Sequence, residues 1–147
     1  MKRARKDNSE TAGAEGSPAV CVERHFIIPG DPIGKPRMTQ KDKWAKRPCV
    51  MMYRAWADHA RACAGDLPDN PLSVDLLAYF AFPESYSEKK RAALARQPHR
   101  VKPDFDNVEK AVCDALFEQD SMIADGSCSK RWDDGQGPRV EVLIRFG

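Results

Sequence analysis

Lys102-Pro-Asp-Phe-Asp-Asn-Val-Glu-Lys-Ala-Val-Cys-Asp-Ala-Leu-Phe-Glu118 is the stretch on which the fold turns, because it holds the chain's clearest helix and its densest group of carboxylates. From Asn107 to Glu118 the residues Val108, Ala111, Val112, Ala115 and Leu116 recur at helical spacing and make one apolar stripe. Asp106, Lys110 and Asp114 stand at i, i+4 and i+8 on the opposite side. Asp106 reads as the helix cap, with Glu109 three residues on closing a capping box. Asp104 is not needed for that cap, yet Pro103 fixes the chain just before it. Asp120 follows just beyond the helix, where the chain can fold back toward its mouth.

Working outward, Leu72, Val74, Leu76, Ala78, Phe80 and Phe82 alternate with other residues, the signature of a strand with one buried face, and Pro83 ends it. Val22 to Ile28 is a first strand closed by Pro29-Gly30, followed by the irregular loop Gly30-Asp-Pro-Ile-Gly-Lys-Pro-Arg37. Met52, Ala55, Trp56, His59, Ala60 and Cys63 predict an amphipathic helix over Val50 to Cys63, with Trp56 in the core. Ser87 to Arg96 reads as a short basic helix with a serine cap. Cys128 to Trp132 and Arg139 to Phe146 flank the turn-rich Asp133-Asp-Gly-Gln-Gly-Pro138 and predict a terminal hairpin, with Asp133-Asp134 an ordinary turn. The fold class is α+β: one small domain with a mixed sheet packed against helices. Residues 1–19 are polar, small and charged, and are expected to be a disordered tail ahead of a domain over 20–147.

The 147 residues carry a formal charge of only +2, but the charge is unevenly placed. Lys35, Arg37, Lys41, Lys43, Lys46 and Arg47 crowd the first half, and every charged residue from Lys89 to Lys102 is basic. Acidic residues concentrate between Asp104 and Asp134. Five cysteines without a C-x-x-C pair, and three scattered histidines, argue against a zinc site or a disulfide framework. Reduced thiols point to a cytoplasmic protein. No long apolar run predicts a membrane span, and no signal-peptide core is expected at the N-terminus.

Clustered carboxylates repel one another, so a cation is the natural reason to gather them. Magnesium fits, because it takes hard oxygen ligands and keeps several waters. Such an ion, beside a basic surface, suits hydrolysis of a phosphate polymer, with Lys110 meeting the phosphate. The competing reading is structural: a helix cap at Asp106, Lys110 as a surface partner of Asp106 or Asp114 in a pair worth a few tenths of a kcal/mol, and a solvated basic face.

Lys102-Pro-Asp-Phe-Asp-Asn-x-x-Lys110-x-x-x-Asp114-Ala-Leu, then Asp120-Ser-x-Ile123, resembles the RusA family of Holliday junction resolvases. Ile28-Pro-Gly-x-Pro-x-x-Lys35-x-Arg37 is similar to the family's opening, and Lys130-Arg131 with Pro138-Arg-Val-Glu-Val142 to its end. The resemblance implies a magnesium-dependent crossover junction endodeoxyribonuclease, with manganese able to substitute, acting as a homodimer on four-way DNA junctions. Paired symmetric nicks of this kind serve DNA recombination and repair. It places the catalytic residues at Asp104, Asp106, Lys110 and Asp120, and the metal ligands at Asp104, Asp106 and Asp120. Family members often carry Asp-Asp where this chain has Gln119-Asp120, so the role transfers to Asp120 alone. Asp114 is expected to support the site or the helix. Lys35, Arg37, Lys41, Lys43, Lys46 and Arg47 are the candidate DNA-backbone contacts, giving salt-sensitive binding. Two other readings stand beside this one: a less selective branched or flap DNA nuclease, and a nonenzymatic DNA-binding protein whose acidic cluster only caps a helix.

Overall fold

Two segments of apolar alternation build the centre of the sheet. The computed structural model describes residues 22–44 and 46–147; the expected N-terminal tail lies outside them. Strands β1 (Val22–Pro29), β2 (Pro71–Phe80), β3 (Asp125–Trp132) and β4 (Arg139–Phe146) form one sheet in the order β1-β4-β2-β3. Helices α1 (Pro48–Ala64), α2 (Glu88–Leu94) and α3 (Phe105–Leu116) complete it, with short 3-10 turns at Gln40–Lys43 and Asp120–Met122. The α+β domain with a mixed sheet is as the sequence indicates.

Val140, Val142, Ile144 and Phe146 of β4 are buried, as are Val74, Leu76, Ala78 and Phe80 of β2. Against this face pack Tyr53, Ala57 and Ala60 of α1 and Val108, Ala111, Val112 and Ala115 of α3, which makes a two-layer core. Tyr53 ties the helices together by donating to the Ala111 carbonyl at 2.9 Å. Burial pushes its hydroxyl up to about 12, so it stays a donor.

Four expectations are corrected. The end of the chain is not a hairpin: β3 pairs parallel with β2, and β4 lies antiparallel between β1 and β2. The loop after β3 therefore passes over the end of β2, where Asp133 N–H donates to the Phe80 carbonyl at 2.9 Å. The physical reason lies in composition. Among the β3 side chains only Trp132 is buried, which suits an edge, whereas the strictly alternating β4 suits the middle. A parallel β2–β3 pair needs a crossover, and α3 lies within it. Secondly, Leu72 is 42% exposed, because a register irregularity between Pro71 and Ser73 turns it outward. Phe82 lies past the end of β2 and stacks on Trp132, 5.3 Å between ring centres.

Thirdly, the buried stripe of α1 is Val50, Tyr53, Ala57 and Ala60, rotated from the expected one, so Met52 is 67% exposed. Trp56 and Cys63 remain partly buried against the core. Fourthly, α3 starts at Phe105, so Asp104 and not Asp106 occupies the capping position. Asp104 contributes its carbonyl to the first turn, accepting from Asn107 N–H at 3.0 Å and Val108 N–H at 3.1 Å. Its carboxylate makes no capping bond.

The loop after β1 returns across the start of α3. Lys35 N–H donates to the Asn107 carbonyl at 3.2 Å. Gly34 sits so close that a Cβ there would lie 2.9 Å from the Pro103 Cβ and 3.2 Å from the Asn107 amide nitrogen. Gly126 in β3 is equally confined, since a Cβ would meet the Val74 carbonyl oxygen at 2.5 Å. Both glycines thus border the acidic segment for steric reasons. Among the described residues no helix is long and apolar enough to cross a membrane.

Candidate active site

Two cavities adjoin at the N-terminal end of α3, and Asp106 lines both. The first, about 570 Å³, lies between α3, the turn after it and the start of β3. Asp106, Glu109 and Lys110 face it from the helix, Asp120 from the 3-10 turn, and Asp125 from β3. The second, about 940 Å³, runs along residues 99–102 toward β3, and Asp104 faces it.

The short link from Leu116 to Asp120 is long enough to turn back. Phe117 and Gln119 are extended, and the Asp120–Met122 turn then folds Asp120 into the cavity that Asp106 occupies. The structure therefore brings Asp106, Lys110 and Asp120 to one cavity and sets Asp104 on the neighbouring one. Glu109 and Asp125 join the first cavity, a placement the sequence reading missed. The signal for Glu109 was spent on the capping box, and Asp125-Gly126 reads locally as a turn.

These carboxylates are not held by ordinary structural partners. Among the described residues Asp104, Asp106, Glu109 and Asp120 enter no ion pair, and none of the four accepts a side-chain hydrogen bond. Of the two partners the sequence offers Lys110, the structure selects Asp114, at 3.5 Å, and not Asp106. Asp114 also accepts from Lys35 at 2.6 Å, so one carboxylate sits between two ammonium groups and ties the opening loop to α3. Lys35 lies 5.2 Å from the Tyr53 ring centre, which adds a cation–π contact.

Other basic residues named from the sequence go elsewhere. Arg47 grips Asp42 through two hydrogen bonds of 2.8 Å and donates to the Arg37 carbonyl at 2.7 Å. That guanidinium holds the Asp42 carboxyl well below the usual carboxylate range. Arg47 is thus a loop clasp. Arg37, Lys41 and Lys46 are exposed along the same loop. The Lys43 side chain lies outside the described set. Four cysteines are described, and all are free thiols. Burial pushes Cys113 up to about 12 and Cys128 up to about 11, so neither is a nucleophile at neutral pH.

The donor chemistry suits a hard divalent ion, since the cavity offers carboxylate oxygens without basic partners and magnesium is commonly held by one or two carboxylates plus water. Among the described residues no three His, Cys, Asp or Glu side chains converge as a ready-made ligand set. Residues 29–145 match the family described as endodeoxyribonuclease RusA.

The chain belongs to the RusA endodeoxyribonuclease family.

The RusA match spans both cavities, from the last residue of β1 to the penultimate residue of β4. The chain is also 37% identical over 83 residues to the uncharacterised protein YqaN of Bacillus subtilis (strain 168), a match covering 51% of this chain and 57% of that protein. RusA nucleases as a group depend on a divalent metal. That dependence agrees with the chemistry of the unpaired carboxylates here.

Proposed function

We propose that this chain is a crossover junction endodeoxyribonuclease, acting in the cytoplasm on four-way DNA junctions in recombination and repair. The observation that carries the reading is the pairing of Asp106 and Asp120 across one cavity with Lys110 beside them, inside a RusA-family chain. Asp106 and Asp120 would hold a magnesium ion, or manganese in its place, with Asp104 at the adjoining edge. When bound, such an ion supplies Lewis-acid polarisation of the scissile phosphate and a more acidic water.

The chain's own groups do the rest. Lys110, steadied by Asp114, offers an ammonium to the phosphate oxygens as negative charge develops. The Lys35 N–H to Asn107 carbonyl bond pins the opening loop to the start of α3, and the salt link from Lys35 to Asp114 ties the same loop to a later turn of the helix. Arg37, Lys41 and Lys46 bind the DNA backbone without reading its sequence. A homodimer would set two such sites across a junction that is itself roughly two-fold symmetric, giving paired nicks in strands of like polarity.

The test is cleavage of end-labelled four-way junctions beside flap and linear duplex substrates, in magnesium or EDTA. Paired nicks confined to the junction, abolished by EDTA and by Asp106→Asn or Asp120→Asn with binding retained, are expected. Equal cutting of flaps and junctions would replace the resolvase with a general branched-DNA nuclease. Binding without cleavage in any metal would leave a nonenzymatic DNA-binding protein.

A further inference from the structure

The second cavity shares Asp106 with the first and carries Asp104, but the reaction gives no role to the rest of its lining. Phe105 and Val101 stand at it 61% and 55% exposed, although both are large apolar groups. Single exposed apolar side chains are ordinary. Two at one cavity, beside two exposed cations, are a different matter. Arg100 and Lys102 line the same cavity, and among the described residues neither enters an ion pair.

The wall that carries these residues is fixed. Trp132 N–H donates to the Gln97 carbonyl at 2.9 Å, His99 N–H to the Lys130 carbonyl at 3.1 Å, and Lys130 Nζ to the Val101 carbonyl at 2.6 Å. Residues 96–101 are thereby tied along the free edge of β3. His99, 7% exposed, stacks on Phe80 at 3.9 Å between ring centres and meets Trp132 edge-on at 4.5 Å. Its Nδ1 is buried without a hydrogen-bond partner. Burial, and then the Lys130 charge, holds its pKa down to about 4, so this part of the lining is uncharged at neutral pH.

A cavity of about 940 Å³ lies within the range of small-molecule sites. An apolar, partly aromatic surface with cations on its rim has the chemistry of a single nucleotide: a π-face to stack and a phosphate to neutralise. The acidic pair Asp104–Asp106 alone would repel a DNA strand, and Arg100 and Lys102 supply the missing attraction beside it.

We propose that this cavity takes one unstacked nucleotide of branched DNA, with its base against Phe105 and Val101 and its phosphate on Arg100 and Lys102. The proposal rests on the nuclease reading for its substrate and adds the place where a nucleotide unstacked at the branch is held. Continuous duplex stacks every base on both sides, whereas a branch point interrupts stacking, so the subsite favours branched over linear DNA.

Binding of the full chain to fluorescent junction and linear duplex, in EDTA so that the DNA stays intact, tests it. Phe105→Ala is expected to weaken junction binding by roughly tenfold and duplex binding by less than about twofold. Phe105→Trp should restore the junction affinity. Arg100→Ala with Lys102→Ala should weaken both substrates and flatten the salt dependence. Urea midpoints of the variants guard against misfolding. Junction binding unchanged in Phe105→Ala, or lost in equal measure for duplex, overturns the subsite. The nuclease reading is judged separately, by cleavage of the parent chain in magnesium: a parent that cuts while Phe105→Ala binds normally keeps the enzyme and loses the subsite.

Discussion

Gly34→Ala probes whether the opening loop is pressed against the acidic end of α3. The added methyl would sit 2.9 Å from the Pro103 Cβ and 3.2 Å from the Asn107 amide nitrogen, with the Asn107 Cβ at 3.5 Å. The first contact involves a proline next to Asp104, which cannot swing aside as a flexible side chain does. Overpacking of this kind costs about 1–3 kcal/mol. Against it stands the smaller conformational freedom of alanine in the unfolded chain, which favours the variant by about 0.4–1 kcal/mol. The steric cost wins, leaving a net destabilisation of about 0.5–2 kcal/mol, or roughly 2–6 °C in Tm for a chain of this size. Relief comes most easily by moving the loop away, stretching the Lys35 N–H to Asn107 carbonyl bond of 3.2 Å and disturbing the Lys35–Asp114 link. The start of α3, with Asp104 and Asp106, loses its support, so cleavage should fall by more than stability does. Urea unfolding and junction cleavage on the same preparation give the two numbers. A variant as stable as the parent, or more so, would show that the unfolded-state term dominates and that the loop is not tightly seated.

The other predictions are simpler. His99 has a folded pKa near 4, below its ordinary 6.5, so the folded state binds fewer protons than the unfolded state between those values. Stability therefore falls as pH drops through that window, by about 1–2 kcal/mol between pH 7 and 5, and His99→Gln should remove much of that slope in urea titrations. Arg139, 8% exposed, is held by Asp134 at 3.0 and 2.9 Å and by Glu141 at 2.9 Å. Asp134→Ala leaves a buried guanidinium half compensated and should cost about 2 kcal/mol, read as a lower urea midpoint with unchanged slope.

What could be read from the sequence divides along a physical line. Elements whose residues alternate or repeat against a single core face, β4 and α3 above all, are legible because burial imposes the period. The α1 stripe misled because both faces of that helix carry apolar residues, and Tyr53, with its bond to the Ala111 carbonyl, selects the one that packs. Pairing partners are not local. Nothing in Asp133 to Pro138 says that the strand before it joins β2 and the strand after it enters between β1 and β2. That choice belongs to the whole sheet, where the polar β3 is cheapest at an edge.

The same division explains the site. Asp104, Asp106 and Lys110 are conspicuous because seven consecutive residues carry them, whereas Asp125 reaches the cavity only through β3 pairing parallel with β2. The capping explanation for the acidic group depended on where the helix begins, and a shift of two residues removes it. With Phe105 as the first helical residue, Asp104 serves the helix end through its carbonyl alone, neither aspartate's carboxylate caps it, and Asp106 is left free beside Asp120. Leaving like charges together without structural partners costs folding stability, and a bound cation recovers it only for the loaded protein. Magnesium should therefore raise the Tm of the parent chain and do so less for Asp106→Asn. An identical shift in both would mean that the ion acts elsewhere, and no shift in either would return the carboxylates to being an unpaired surface.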